Sequence, residues 1–104
     1  MTTKQTHIVT RHGGAVEWLM SKGIEGDVSK HFQIDYVVAG DRYIGILPVN
    51  LIDEVLKGGA EFVLLVMPTI PFEMRGEELT ADMMEEYGAK LLQIDELKTT
   101  PFKG

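Results

Sequence analysis

Short apolar runs alternate with amphipathic segments along most of the chain. The run from Phe62 to Met67 is apolar at every position, which is typical of a central strand buried on both faces of a parallel sheet. The runs His7 to Val9 and Arg42 to Leu47 predict two more strands, and Val28 to Phe32 predicts a weaker one. The pattern leaves segment 33–39 open between a short strand and a loop.

Amphipathic helices are predicted between these strands at three places. The first starts near Ala15, and the other two follow Asn50 and Thr80, which are residue types that cap helix N-termini. Leu79 and Met84 have the spacing of a hydrophobic staple across Thr80. Each helix is followed by glycine, which adopts the left-handed cap conformation readily. These glycines are Gly23, Gly58–Gly59 and Gly88.

Alternating strands and helices over 104 residues predict one compact α/β domain, residues 1–104, with three layers and a mostly parallel sheet. Such sheets bind ligands beyond the carboxyl ends of their strands. Four segments are expected at that edge, and polar residues of interest collect there. They are residues 10–14, the region after Phe32, residues 48–50 and residues 68–71.

Composition and charge narrow the classes of function. The chain has no cysteine, which excludes disulfides, thiolate nucleophiles and cysteine-ligated metal sites. The net charge of −6 argues against long nucleic acid as a partner. A few local arginines could still hold a small anion, because exposed charges are screened beyond about 10 Å. No apolar run approaches the roughly 20 residues that cross a bilayer, so no membrane partner and a cytoplasmic location are expected.

The segment from Thr10 to Ala15 carries the strongest chemical signal. It places Arg11, His12 and the pair Gly13–Gly14 where a strand turns into a helix. Free amides and partial positive charge at a helix N-terminus favour phosphate, while Arg supplies forked donors and His can move a proton. The spacings of the dinucleotide fingerprint and of the P-loop are absent. In the alternative interpretation, the arginine is a surface residue and the histidine a cap or loop residue.

Polar residues near the other predicted loops have two interpretations each. Gly45 within a strand indicates close approach of a backbone or a ligand. Asn50 is either an N-cap or a contact to a base or ribose. Arg75 could reach a phosphate, or pair with Glu77 or Glu78 on the surface.

Two further groups are expected to be structural. Trp18 is expected in the core, with stacking on an adenine as the less favoured alternative. Glu17, beside it, could simply favour the N-terminal part of the helix. The carboxylates Asp82, Glu85 and Glu86 are expected on a solvated helix face, and they make a poor metal site because no histidine lies at ligand spacing among them.

Four motifs together resemble a known family over residues 7–95. The motifs are Val9-Thr10-Arg11-His12-x-Gly14-Ala15-x-Glu17-Trp18-Leu19, Gly40-Asp41, Ile44-Gly45-x-Leu47-Pro48-Val49 and Arg75-Gly76-x-Glu78-Leu79. The family comprises small CRISPR-associated proteins that accompany type III interference systems. It is described as Rossmann-like and as related to ring nucleases that degrade cyclic oligoadenylate messengers.

The resemblance implies a Rossmann-like ring nuclease acting on cyclic tetra-adenylate, with no metal or cofactor and with a two-fold homodimer around the ring. On this hypothesis Arg11 and His12 are catalytic. The residues expected to bind the ligand are Thr10, Gly13, Gly14, Glu17, Pro48, Asn50 and Arg75. Two alternatives stay open: a sensor or sink that binds without cutting, and a dimeric interaction protein that docks on another CRISPR component. An unrelated phosphotransfer enzyme is less favoured because no nucleotide triphosphate motif is present.

Overall fold

The computed structural model describes residues 4–10, 12–29, 32–71, 73 and 78–104. Strands and helices alternate along this part of the chain, as predicted. In chain order they are β1 (Thr6–Val9), α1 (Gly13–Ser21), β2 (Asp27–Ser29), β3 (Arg42–Gly45), α2 (Val49–Lys57), β4 (Glu61–Val66), α3 (Ala81–Tyr87) and β5 (Lys90–Ile94). The open segment 33–39 holds a 3₁₀ turn, Ile34–Tyr36, rather than a strand.

The sheet has the strand order β2-β1-β3-β4-β5. The pairings β1–β2, β1–β3 and β3–β4 are parallel, and only the edge strand β5 runs antiparallel to β4. The predicted mostly parallel sheet is therefore confirmed. The strand order reverses between β1 and β3, because the chain leaves β1 toward one edge of the sheet and leaves β3 toward the other.

Apolar side chains cover the sheet on both faces, which confirms the predicted three layers. One face packs against α1 and α3, and the other against α2. On the first face the buried residues are Ile8, Ala15, Trp18, Leu19, Ile44, Val63, Leu65 and Met84. On the second they are Val9, Tyr43, Ile52, Val55, Ala60 and Phe62. The arrangement is compatible with a compact Rossmann-like domain.

The helix ends confirm one predicted cap and correct another. The Thr80 hydroxyl accepts a hydrogen bond from the amide of Met83 at 3.2 Å, so Thr80 is the N-cap of α3 as expected. The prediction of Asn50 as an N-cap is wrong, because α2 already begins at Val49 with Pro48 in the cap position. The carbonyl of Pro48 accepts the first helical hydrogen bonds, and the extended backbone of a proline suits a residue that introduces a helix.

Trp18 lies in the core, as predicted, and its polar edge has a partner. The indole Nε1 donates to Glu85 Oε2 at 2.7 Å, and the ammonium of Lys22 lies 5.5 Å from the centre of the indole ring. Lys22 also forms an ion pair with Glu85. The hydrogen bond from Lys22, and then the one from the indole, lower the pKa of the Glu85 carboxyl. The predicted solvated face of α3 is exposed, but Glu85 additionally ties α3 to α1.

A histidine–aspartate pair lies at the amino end of the sheet. His7 Nε2 is 2.8 Å from Asp41 Oδ2, and the amide of Gln5 donates to Asp41 Oδ1 at 3.2 Å. The His7 ring is also stacked on Tyr43, with 4.5 Å between the ring centres. These contacts hold a buried carboxylate where β1 and β3 begin.

We expect Asp41→Asn to remove a pH-dependent part of the stability. Hydrogen bonding to His7, and then to Gln5, lowers the pKa of Asp41 below its ordinary 3.8. A lowered folded-state pKa stabilises the protein above the unfolded-state pKa, and this contribution is lost as the pH falls through the folded-state value. Urea unfolding from about pH 6 to about pH 2 should therefore show the variant's deficit shrinking toward acid pH. A constant deficit would contradict this, and Asp95→Asn, at an exposed carboxylate, is the matched control.

Candidate functional site

A crevice opens at the carboxyl ends of β1 and β3, where the strand order reverses. After β1 the chain enters α1 on one face of the sheet, and after β3 it enters α2 on the other. Crevices at such points are the usual ligand sites of open α/β sheets. A cavity of about 390 Å³ lies here, within the range typical of small-molecule sites. The described residues that line it are Val9, Thr10, His12, Phe32, Ile46, Leu47, Pro48 and Leu51.

Gly45 sets the close spacing of β1 and β3 beneath this cavity. It has φ of +154°, and a Cβ at this position would overlap the carbonyl oxygen of Val9. The same carbonyl accepts a hydrogen bond from the amide of Ile46 at 3.2 Å. The predicted close approach is therefore confirmed, and it is an approach of backbone to backbone. Strand β3 ends at Gly45, so the predicted end at Leu47 is wrong by two residues.

The N-terminus of α1 lies next to the crevice, because its N-cap residue lines the cavity. His12 is the N-cap residue, and its carbonyl accepts hydrogen bonds from the amides of Ala15 and Val16. The amides of Gly13 and Gly14 come first in the helix, and neither has an acceptor within the described part of the chain. Such amides, at the positive end of a helix dipole, are suited to an anion.

Thr10 and His12 form a short turn between β1 and α1. Thr10 is buried, and its hydroxyl oxygen accepts a hydrogen bond from the amide of His12 at 3.2 Å. The imidazole of His12 makes no capping hydrogen bond; it is exposed and lines the cavity. The turn therefore fixes the backbone while leaving the imidazole available to a ligand.

The two glycines of this segment have different surroundings. A Cβ on Gly13 would meet no atom within 4 Å, so this position is open. A Cβ on Gly14 would overlap the carbonyl oxygen of Leu79, which precedes α3. Gly14 thus has a packing role that its sequence context did not indicate, because the contact comes from a segment 65 residues away.

The structure brings some of the predicted site residues together. Thr10, His12 and Pro48 line the same cavity. Gly13 and Gly14 follow His12 in α1, where Gly14 is buried, and neither is among the described residues that line the cavity. Glu17 and Asn50 are exposed and do not line this cavity. Arg11 and Arg75 lie outside the described residues, so their predicted roles stay predictions.

The apolar walls of the cavity were not predicted as ligand contacts from the sequence. These are Val9, Phe32, Ile46, Leu47 and Leu51. The signal for Phe32 was present, since the region after it was expected at this edge of the sheet. Apolar residues at strand ends are ordinarily assigned to the core, and only the fold shows which of them face a crevice. Of the described lining residues, only Thr10 and His12 carry polar side chains.

Comparison with protein families gives one match. The family model described as "Putative CRISPR-associated protein (Cas_VVA1548)" matches residues 7–97. The chain belongs to this family. The match confirms the CRISPR association that the sequence motifs indicated, and it includes every described residue that lines the cavity. Comparison with curated proteins and with solved structures gave no match. Within the described residues, no helix of this family member has the length and apolar character needed to span a membrane.

Proposed function

We propose that this CRISPR-associated protein is a ring nuclease, which binds cyclic tetra-adenylate and cleaves it to linear products with 2′,3′-cyclic phosphate ends. Such cleavage would switch off type III CRISPR signalling. One observation carries the proposal: His12 lines a small-molecule cavity at the switch point of the sheet and begins a helix whose first two amides have no acceptor among the described residues. An anion at the amides and an organic group in the cavity are the two parts of a nucleotide.

The proposed reaction needs no protein nucleophile. The ribose 2′-oxygen attacks the neighbouring phosphorus, a P–O2′ bond forms and the P–O5′ bond breaks. The 2′-hydroxyl loses its proton and the leaving 5′-oxygen gains one, so no water is consumed. The protein must align these atoms and stabilise charge on the phosphoryl oxygens.

The residues at the crevice are assigned to these tasks. The amides of Gly13 and Gly14 hold the phosphoryl oxygens of the scissile phosphate, where developing charge is met by fixed donors. His12 transfers a proton as the general acid or base. Arg11, which adjoins His12 in the sequence, is proposed as a second phosphate ligand because its guanidinium can donate two parallel hydrogen bonds. Asn50 and Arg75 are assigned to the outer parts of the ligand.

A two-fold homodimer is proposed to surround the ring. Ile46 is 41% exposed and Val49 is 59% exposed, and both lie at or beside the cavity mouth next to Pro48. A second copy of the chain would cover these apolar side chains. It would also bring two identical crevices to a ligand that has internal symmetry.

Binding without cleavage is the second candidate function, and the lining of the cavity favours it. His12 is the one titratable side chain among the described residues that line the cavity. Ring cleavage needs both removal and delivery of a proton, so a site with a single such group would suit a sink or sensor as well.

We expect the purified protein to open cyclic tetra-adenylate in EDTA, with products of unchanged total mass before any hydrolysis of the cyclic phosphate end. Mass spectrometry distinguishes the intact ring from linear products by their fragmentation and chromatographic mobility, and light scattering on the same sample reports a dimer. An intact ring after long incubation at high protein concentration would refute the nuclease. Tight binding in that case would identify the sink.

A further inference from the structure

Phe32 forms an aromatic wall of the cavity, and its ring packs against Tyr43. The Phe32 ring meets Tyr43 edge-on, with 6.0 Å between ring centres and an interplanar angle of 77°. The Tyr43 ring is stacked on His7, and its hydroxyl oxygen accepts a hydrogen bond from the amide of Val38 at 2.9 Å. Tyr43 is buried, whereas Phe32 is only half-buried and lines the cavity. A supported, partly open ring of this kind is suited to stacking.

The rest of the lining restricts what the cavity can hold. Leu47, Leu51 and Pro48 add apolar surface, while Thr10 and His12 place polar groups at the side next to α1. A phosphate or a bare sugar in this space would lose its hydration without enough hydrogen-bonding partners. A flat heterocycle keeps its apolar faces against the walls and turns a polar edge toward the hydroxyl and the imidazole. The volume of about 390 Å³, near the lower end of the usual range, suits one such group per protomer.

We propose that this cavity is a nucleobase subsite in which one adenine stacks on Phe32, while the phosphate attached to that nucleoside lies at the Gly13 and Gly14 amides. The inference rests on the proposed function for the identity of the base. Its physical basis is separate, because it follows from an apolar cavity lined by the N-cap residue of α1, whose first two amides have no acceptor among the described residues. Phe32 is thereby a specificity-determining residue that makes no contact with the reacting atoms.

The test uses small nucleotides, so that it does not depend on ring cleavage. Adenosine 5′-monophosphate and ribose 5-phosphate are titrated into the isotopically labelled protein and followed by NMR. The nucleotide should bind more tightly and shift signals of Thr10, His12 and Leu47, while ribose 5-phosphate should shift mainly the Gly13 and Gly14 amides. Phe32→Leu should weaken nucleotide binding by about fivefold or more, since base–aromatic stacking contributes at least about that factor.

Matched variants separate stacking from general effects on the fold. Phe32→Tyr retains the ring and should keep the affinity for the nucleotide. Phe102→Leu makes the same change as Phe32→Leu at a ring that is 94% exposed, and should also leave the affinity unchanged. Phe32→Leu should leave the weaker affinity for ribose 5-phosphate unchanged. A distorted fold would lower this affinity as well.

In the nucleotide titrations, either of two outcomes would overturn the subsite. One is equal affinity for the nucleotide and for ribose 5-phosphate; the other is a Phe32→Leu variant that binds the nucleotide as the wild type does. Cleavage of cyclic tetra-adenylate, measured in parallel, distinguishes this failure from failure of the proposed function. Undiminished ring binding and cleavage by Phe32→Leu would refute the subsite and leave the nuclease standing. Nucleotide binding that depends on Phe32, without ring cleavage, would confirm the subsite and refute the nuclease.

Discussion

His12→Ala is expected to slow the cleavage of cyclic tetra-adenylate by about 10²–10⁴-fold, the usual contribution of a general acid or base. The affinity for the ring should change little, because the Gly13 and Gly14 amides that hold the phosphate are retained. The fold should also be retained, since the imidazole is exposed and makes no capping hydrogen bond. Single-turnover rates in EDTA, together with binding measured by calorimetry, separate the two effects.

The matched control for this variant is a change at His7, the histidine at the other end of β1. His7→Gln removes a stacked and hydrogen-bonded ring that is not among the described residues lining the cavity. It should lower stability, and it can weaken ring binding through Tyr43 and Phe32, while the single-turnover rate at saturating ring concentration stays near that of the wild type. A normal rate for His12→Ala would remove His12 from the mechanism. Equal losses for the two variants would assign the effect to the fold rather than to the chemistry.

Gly45→Ala is expected to lower the free energy of unfolding by about 2–5 kcal/mol. The new Cβ would overlap the carbonyl oxygen of Val9, and φ of +154° is unfavourable for a residue with a side chain. The positive φ contributes about 1–2 kcal/mol, and an overpacked contact adds about 1–3 kcal/mol. Relief requires β1 and β3 to separate, so ring binding should weaken with stability. Urea unfolding followed through the signal of buried Trp18 measures the change in stability.

Gly40→Ala separates the two causes. Gly40 also has a positive φ, +89°, but a Cβ there would meet no atom within 4 Å. This variant should therefore lose only the about 1–2 kcal/mol of the conformational cost. Equal destabilisation by the two alanines would show that the contact with Val9 relaxes at no cost, contrary to the expected overpacking.

The fold was largely predictable because its signals are local. The uninterrupted apolar run at β4, the Thr80 cap and the glycines after each helix depend on neighbours within a few residues. The errors came where a longer-range contact competes with a local preference. Asn50 is a good capping residue, yet α2 already begins at Val49 with Pro48 in the cap position, and β3 has ended at Gly45.

The candidate site was predictable only in part, because some of its contacts are between neighbours in the sequence and others join distant segments. The segment around His12 was identifiable, since a strand that turns into a helix at paired glycines is visible in the sequence. The packing of Gly14 against Leu79, and the aromatic wall of Phe32, depend on segments that are distant along the chain. Each residue type is compatible with several environments, so only the folded chain selects among them.

The sequence by itself determined the strand–helix alternation, the acidic balance that disfavours long nucleic acid and the motifs of a CRISPR-associated family. These properties follow from residue order and composition, so they do not depend on contacts between distant parts of the chain. Only the tertiary structure decided that the strand order reverses between β1 and β3 and that a cavity opens there. Its walls come from three separate segments of the chain, and strand order depends on which faces of the sheet the helices cover. Local periodicity, being a property of single segments, does not encode that choice.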